Sequence, residues 1–301
     1  MLNARIVKSL SHDPWTNLAW EEYFLQQVAD NEIILYLWQN DNTVVIGRNQ
    51  NAWKECRHTL LEKENGKLAR RLSGGGAVFH DLGNLNFTFV MHRRHYDLDR
   101  QLKVILRAVQ RLGIDAEFSG RNDLVVGGRK FSGHAYYFHK DRAFHHGTIM
   151  INTDLIKMER YLMVAPEKIA SKGIDSVRSR VANLVEFRRN TTLTEVMKSV
   201  IITFNEAYGG LPVEYTLEEG DSPITHLVQK YSSWQWRYGT TPEFDITFEH
   251  FFPWGTFEMG LGLQRGHIEE VKIFSDALEE DVIKEIELGL KDCPFRKEDM
   301  I

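Results

Sequence analysis

Very little in this chain points toward a membrane or a nucleic acid. Acidic side chains outnumber basic ones, 42 to 37 among 301 residues, so the net charge of -5 offers phosphodiester backbones no basic field. No stretch approaches the roughly 20 apolar residues that span a bilayer, and no apolar run of signal-peptide length follows the first charges. A monomeric cytoplasmic protein is expected, with no nucleic-acid or membrane partner. Cysteine is nearly missing as well. Cys56 and Cys293 stand far apart without zinc-ligand or redox spacing, which excludes a disulfide framework and a cysteine-built metal site. The 43% of hydrophobic residues suffices instead for one large core and a small second domain.

The hydrophobic pattern alternates between helix and strand periods. Thr16 to Val28 sets Leu18, Ala19, Phe24 and Leu25 at helical spacing after an Asp-Pro start signal. Ile33 to Trp38 and Thr43 to Ile46, separated by Asn-Asp-Asn, read as two strands and a turn. Asn51 to Asn65 reads as a charged helix. Leu68 to Leu72, Ala77 to His80 and Asn84 to Val90 read as consecutive strands of one sheet. Leu102 to Leu112 is an amphipathic helix closed by Gly113, Asp123 to Val126 and Lys130 to Phe138 form a hairpin around Gly127 and Gly128, and Thr148 to Asn152 supplies a further strand. From Leu155 to Phe204 the pattern is mainly helical, except for the basic, Ser-rich SKGIDSVRSRVANL. After the linker-like GTTPEF come three short strands (Asp245 to His250, Gly255 to Leu263, His267 to Phe274) and a helix from Glu279 to Leu290. Two domains are expected, 1–245 and 246–301.

Four segments carry candidate chemistry. In ARRLSGGGAVFHDLGNLNF three successive glycines let backbone amides approach a ligand, although a glycine triplet alone is more often a hairpin turn. It is neither a Walker A loop nor a dinucleotide fingerprint. In GRNDLVVGGRKFSGHAYY, simple alternation puts Lys130, Ser132 and His134 on one strand face and Phe131 and Ala135 on the other. A strand lysine facing a glycine loop suits a phosphate or carboxylate, while a lysine just after a turn is usually solvated. HHGTIMINTDL places His145, His146 and Gly147 ahead of a strand. KGIDSVRSRVANL offers Lys172, Ser176, Arg178, Ser179 and Arg180 to a phosphorylated ligand. The histidines at 134, 139, 145 and 146 lack a carboxylate or cysteine at metal-ligand spacing.

In this order the four segments closely resemble the bacterial lipoate–protein ligase A family. RRLSGGGAVFHDLGN is similar to that family's lipoate-binding loop, RNDLVV with GRKFSG to the strand bearing its essential lysine, and KGIDSVRSRVANL to its adenylate-binding loop. DPWTNLAWEE and TVVIGRNQNAWKEC match as well, so the resemblance covers nearly the whole chain. It implies an α/β (α+β) fold: a mixed-sheet catalytic domain of the biotin/lipoate ligase type with a small C-terminal α/β accessory domain. It further implies ATP with Mg2+, lipoate as substrate, lipoyl-AMP as intermediate, and lipoyl-domain acceptors such as 2-oxoacid dehydrogenase acyltransferase subunits or the glycine-cleavage H protein.

Carried onto this sequence, the resemblance makes Lys130 the catalytic residue, in contact with both lipoate and nucleotide. Arg71, Gly76, Ala77, Val78, Phe79, Asp123, Ser176 and Arg178 are expected at ATP or the adenylate, Arg71 on the phosphates and Asp123 also at Mg2+. Val45, Ser73, Gly75, His80, Gly133 and His146 are expected around lipoate. The turn before Lys130 is only Gly127-Gly128, where some relatives carry an insertion, and the accessory region is shorter than in the bacterial ligases compared. Three other readings remain. A transferase with a covalent mechanism needs a cysteine nucleophile, and neither cysteine lies in the four segments. A biotin ligase would carry a different glycine loop. A non-catalytic lipoate-binding protein gives no chemical reason to keep Arg71, Lys130 and the SVRSR stretch together.

Overall fold

The computed structural model describes residues 2–119, 123–163, 180–209, 213–217, 223–238, 244–264 and 266–296. At its centre lies an eight-stranded mixed sheet made of β1 (Asn3–Ser9), β2 (Glu32–Trp38), β6 (Asn84–His92), β7 (Ala116–Ser119), β8 (Asp123–Val126), β9 (Arg129–His139), β10 (Arg142–Met150) and β11 (Val213–Leu217). The order is β11-β1-β2-β6-β10-β9-β8-β7. β1 runs parallel to both its neighbours, and every pairing from β2 to β7 is antiparallel.

Helices cover both faces of this sheet, which is why β2 reads as an unbroken apolar run. Ile33, Leu35 and Leu37 join Phe87 and Phe89 in one core beneath α4 (Leu98–Arg111) and α6 (Leu193–Tyr208). Helix α4 contributes Leu102, Ile105, Leu106 and Val109, an i, i+3, i+4, i+7 stripe. Ile34, Tyr36 and Trp38 enter a second core with α1 (Pro14–Gln27) and α7 (Thr225–Ser232). Because strand side chains alternate, this second face also receives Asn84, Asn86 and Thr88 of β6, polar and all buried. A buried polar row in a sheet needs partners or a ligand.

A second, three-stranded sheet, β4-β3-β5, packs on that face; it comprises β3 (Thr43–Ile46), β4 (Lys67–Arg70) and β5 (Val78–His80). The single sheet expected over residues 68–90 is therefore two sheets, and the strands flanking Asn40-Asp41-Asn42 also part company. The polar connections carry the chain from one sheet to the other, and β3 takes β4 as a parallel partner. Such non-local pairing leaves no local sequence signal. The expected helix over 51–65 divides into α2 (Ala52–Glu55) and α3 (His58–Lys63), because Cys56 pairs with Leu162 as an isolated bridge. Helix α5 (Leu155–Tyr161) follows β10, and α8 (Trp234–Tyr238) follows α7. Among the described residues no helix is long and apolar enough to cross a membrane.

Residues after 245 form an antiparallel meander, β12 (Ile246–Phe252), β13 (Gly255–Gln264) and β14 (His267–Ser275), with α9 (Glu280–Leu290). This unit is tied to the connection after β3, where Ser275 N donates to Asn49 O (2.8 Å), and to the glycine loop, where Gly75 N donates to Ala277 O (3.1 Å). Lys54 and Glu258 add an ion pair at 2.9 Å. At the same seam Glu280 is 6% exposed, and neither carboxyl oxygen has a hydrogen-bond partner among the described residues. Burial lifts its pKa from the ordinary 4.5 to about 8, against the opposing pull of Lys284, Arg48 and Arg71.

A carboxyl whose folded pKa is raised holds its proton more tightly in the native state. Its stabilising contribution is complete below about pH 4.5 and is lost as pH rises toward about 8. Glu280→Gln keeps the shape and removes the ionisation. Relative to the wild type it should raise the melting temperature by several degrees near pH 9 but shift it little near pH 5. Calorimetry at both pH values checks this, and equal shifts would refute it.

Candidate active site

The polar row on the second face becomes the floor of a cavity. Register aligns Trp38 of β2 with Asn86 of β6, and Asn86 with Thr148 of β10. Gly133 N of β9 then donates to Thr148 Oγ1 at 3.4 Å, and Gly133 stands opposite Asp123 of β8. Five adjacent strands thus contribute one residue each. Over this row lies a cavity of about 360 Å³, walled also by Leu18, Val45, Arg71, Gly75 to Val78, His80, Ala135 and His146. A mainly apolar cleft of that size suits a small molecule. The accessory unit closes one side with Trp254, Asp276 and Leu278.

Lys130 reaches this cavity because β9 is irregular. Ser132 stands opposite Leu124 while Lys130 stands opposite Val125, so Phe131 is an extra, bulged residue. The bulge turns Lys130 to the face of Gly133 and Asp123, where its ammonium sits 2.7 Å from Asp123 Oδ1. Phe131 and Ser132 are both fully buried, Phe131 in the core beneath α4. This corrects the simple alternation that put Lys130, Ser132 and His134 together. The lysine stem then lies against Gly133: a Cβ there would stand 2.7 Å from Lys130 Cε and 2.8 Å from Nζ. Glycine at 133 is thus a steric requirement of the lysine's position.

The histidines divide by strand parity. On the core side Ser132 Oγ meets His134 Nε2 (3.1 Å), His134 Nδ1 meets His145 Nε2 (3.0 Å), and His145 Nδ1 meets Gln101 Oε1 (3.0 Å). Burial holds both imidazoles neutral, His145 near 3. These two satisfy each other, and among the described residues no three His, Cys, Asp or Glu side chains are placed to hold a metal. On the cavity side, His146 bonds Ser73 Oγ through Nε2 (2.7 Å) and Glu21 Oε1 through Nδ1 (2.8 Å). His145 and His146 lie within β10, which begins six residues before the expected start at Thr148, since pairing with β6 begins at Arg142.

The glycine loop is braced from below by Arg71. Its buried guanidinium donates to Ser73 Oγ (3.0 Å), Val45 O (3.2 Å), Gly74 O (2.6 Å) and Gly76 O (2.8 Å). Burial lowers its pKa to about 10, well above neutrality. Carbonyl and following N–H point oppositely across a trans peptide. Turning the carbonyls of Gly74 and Gly76 inward therefore turns the amides of Gly75 and Ala77 outward. Gly75 N confirms this geometry by reaching Ala277 O, and Gly75 itself has φ +88, a conformation that favours glycine. His80 lines the cavity with Nδ1 against Asn40 Nδ2 at 3.2 Å, and burial holds it neutral, near 3.

Of the residues expected at the ligands, Val45, Arg71, Gly75, Gly76, Ala77, Val78, His80, Asp123, Lys130, Gly133 and His146 all line this one cavity. Ser73 is buried one layer behind the loop, and Phe79 packs in the core of the small sheet. Ser176 and Arg178 lie outside the described residues. The segment that follows them is anchored to the lysine strand: Ala182 N donates to Lys130 O at 2.9 Å, and Lys130 bridges Val181. Sequence reasoning missed Glu21, Trp38, Asn86, Thr148 and the accessory trio. A signal for Asn86 existed in NLNFTF, where polar residues alternate within an apolar strand. Cys56 is buried outside the cavity and its thiol is pushed up to about 12.

The model of the lipoyl protein ligase A/B catalytic domain matches residues 13–205, and that of the bacterial lipoate protein ligase C-terminus matches residues 241–301. Lipoate-protein ligase A of Psychrobacter cryohalolentis is 42% identical over 309 residues, spanning 99% of this chain and 91% of that protein. Among solved structures, P. falciparum LipL1 in complex with lipoate superposes with a TM-score of 0.86 at 30% identity, over 99% of this chain and 93% of that one. A lipoate-protein ligase A bound with ATP gives 0.69 at 27% identity, over 79% and 99%. The bipartite lipoate protein ligase of Thermoplasma acidophilum, solved with its E2 lipoyl domain, gives 0.70 at 28% identity, over 82% and 100%. A braced glycine loop facing a strand lysine, in a fold matched through both of its units, defines a ligase of carboxylic acids. The chain belongs to the lipoate–protein ligase A family.

Gly133→Ala tests the lysine's placement directly. The added methyl displaces the ammonium by about 1 Å, which should cost roughly 10²-fold in turnover. Circular dichroism and melting should remain close to the wild type. Turnover within about twofold of the wild type would show that the lysine does not need this seat.

Proposed function

We propose that this chain activates lipoate with ATP to lipoyl-AMP and transfers the lipoyl group to a lysine of a lipoyl-domain acceptor. The observation that carries this reading is the Lys130 ammonium seated on Gly133 at one end of a slot whose floor crosses five strands. With neighbouring strands about 4.8 Å apart, Gly133 to Trp38 spans three spacings, about 14 Å, enough for an eight-carbon acid and its ring. The carboxylate would lie at Lys130, and the acyl chain would run over Thr148 and Asn86 toward Trp38. The solved relatives that contain lipoate, ATP or an E2 lipoyl domain support each component of the reaction.

In the first step a carboxylate oxygen attacks the α-phosphorus of ATP, and the bond to pyrophosphate breaks. In the second, the acceptor amine attacks the acyl carbon and AMP leaves. Both transition states gather negative charge between a carboxyl and the α-phosphate. A fixed ammonium stabilises that charge best where water is scarce. Lys130 supplies it, and the outward amide of Ala77 offers a neutral donor on the facing wall. Arg71 acts through the loop it braces.

Asp123 is the acidic group beside Lys130. One carboxylate, with phosphate oxygens and water, is the donor set Mg2+ accepts when it arrives with a nucleotide, so Asp123 fits that part. Bound there, the ion would neutralise phosphate charge. We place the chemistry in residues 1–245 and assign 246–301 to closing the site, since Trp254, Asp276 and Leu278 complete its wall.

Lys130→Ala should abolish both lipoate-dependent ATP–pyrophosphate exchange and transfer from supplied lipoyl-AMP, while the protein stays folded. Retention of most of either activity would refute the assignment. Leu278→Ala should separate the two steps, because Leu278 Cδ2 lies 3.4 Å from where a Gly75 Cβ would be. Exchange should fall several-fold and transfer should hardly change. Equal losses in both would remove the proposed role of the accessory unit.

A further inference from the structure

A buried chain of hydrogen bonds runs behind the glycine loop and links α1 to Arg71. Trp38 Nε1–H donates to Thr88 Oγ1 at 3.0 Å, and an indole N–H can only donate. The Thr88 hydroxyl donates onward to Glu21 Oε1 at 2.7 Å. At the other end Arg71 Nε–H donates to Ser73 Oγ at 3.0 Å. Glu21 Oε1 accepts from His146 Nδ1 at 2.8 Å, and in the tautomer with hydrogen on Nδ1 alone Nε2 accepts the Ser73 hydroxyl at 2.7 Å. Glu21, Thr88 and Ser73 are essentially inaccessible to solvent, and His146 is 7% exposed.

The geometry points to Glu21 as a positioning residue: through His146 and Ser73 it fixes the Arg71 guanidinium that turns the Ala77 amide of the glycine loop outward, to the place proposed for the nucleotide. Glu21 comes from α1 and touches neither the loop nor Lys130. Its influence is directional. As a carboxylate it can only accept, so it selects the imidazole tautomer with hydrogen on Nδ1. That tautomer leaves Nε2 to accept the Ser73 proton and leaves the Ser73 lone pairs for Arg71. The opposite tautomer would turn the Nδ1 lone pair against the carboxylate oxygen, so the imidazole would lose the bond that ties it, and through Ser73 the brace, to α1. Two donors converge on Oε1, whereas Oε2 has no partner among the described residues. A glutamine with its oxygen at Oε1 would therefore keep every bond of the chain. The Trp38–Thr88 donor relay orients the amide that way.

The inference rests on the ligase reading, and its test keeps the two apart. The readout is the KM for ATP in lipoate-dependent pyrophosphate exchange, because a simple loss of folded protein lowers the maximal rate without moving KM. Glu21→Leu fills the same space without an acceptor and should raise that KM by at least about tenfold, whereas Glu21→Gln should stay within about threefold of the wild type. Ser73→Ala cuts the chain at its next link. If Glu21 acts through Ser73, Glu21→Leu with Ser73→Ala should be no worse than the worse single variant. Where Glu21→Leu does not accumulate as folded protein, His146→Phe takes its place in the cycle. Additive effects on KM, or a Glu21→Gln variant as impaired as Glu21→Leu, would overturn the inference. A wild-type protein without lipoate-dependent exchange would instead overturn the ligase reading.

Discussion

The site depends on one buried cation, Arg71, which lines the cavity and braces its glycine loop. Arg71 is enclosed by Val45 O of β3 and by the carbonyl oxygens of Gly74 and Gly76, and the two loop carbonyls face inward to the guanidinium that receives them. A glycine-rich loop without such a brace would sample many conformations, and glycine loses more backbone entropy on ordering than any other residue. The inward cation offsets that loss by holding the carbonyls of Gly74 and Gly76 together. It requires a planar donor that can address several acceptors at once, which a lysine ammonium cannot do in the same geometry.

Two positive groups with different duties thus face each other across the slot. Arg71 is buried and fully engaged, so its role is to set backbone direction. Lys130 is half-exposed and held by a single carboxylate, so it can exchange that partner for an incoming anion. The loop side is held by several carbonyl acceptors and the lysine side by one exchangeable ion pair. That division suits a reaction in which one charged group must follow the carboxyl through two successive bonds to different leaving groups.

Much of the frame was legible in the sequence. Helix α1 follows its Asp-Pro cap, the apolar stripe of α4 ends at Gly113, and the meander after residue 245 falls close to the positions its alternation indicates. Local periodicity carries that information. It does not carry which strands share a sheet, and so β3 reads with β2, and β4 and β5 with β6, although β3, β4 and β5 pair in a sheet of their own. In the site, the glycine loop and Lys130 were marked by composition and by resemblance. Glu21 was not, because a glutamate in WEEYF reads as the solvated side of a helix until His146, 125 residues away, is placed beside it. The bulge at Phe131 left no trace in the alternation of apolar and polar residues, so the facing of Lys130 was misread for a physical reason.

That bulge has a further consequence for how the protein can vary. It lies after the Gly127-Gly128 turn and within the paired part of the hairpin, so the parity that directs Lys130 is set downstream of the turn. Residues added at the tip lengthen an exposed connection without changing which way the lysine points. A one-residue change between Lys130 and Gly133 would invert it. The hairpin therefore has a permissive half and an intolerant half separated by only a few residues. The permissive half is a natural place to graft a reporter peptide next to the active site without disturbing its chemistry.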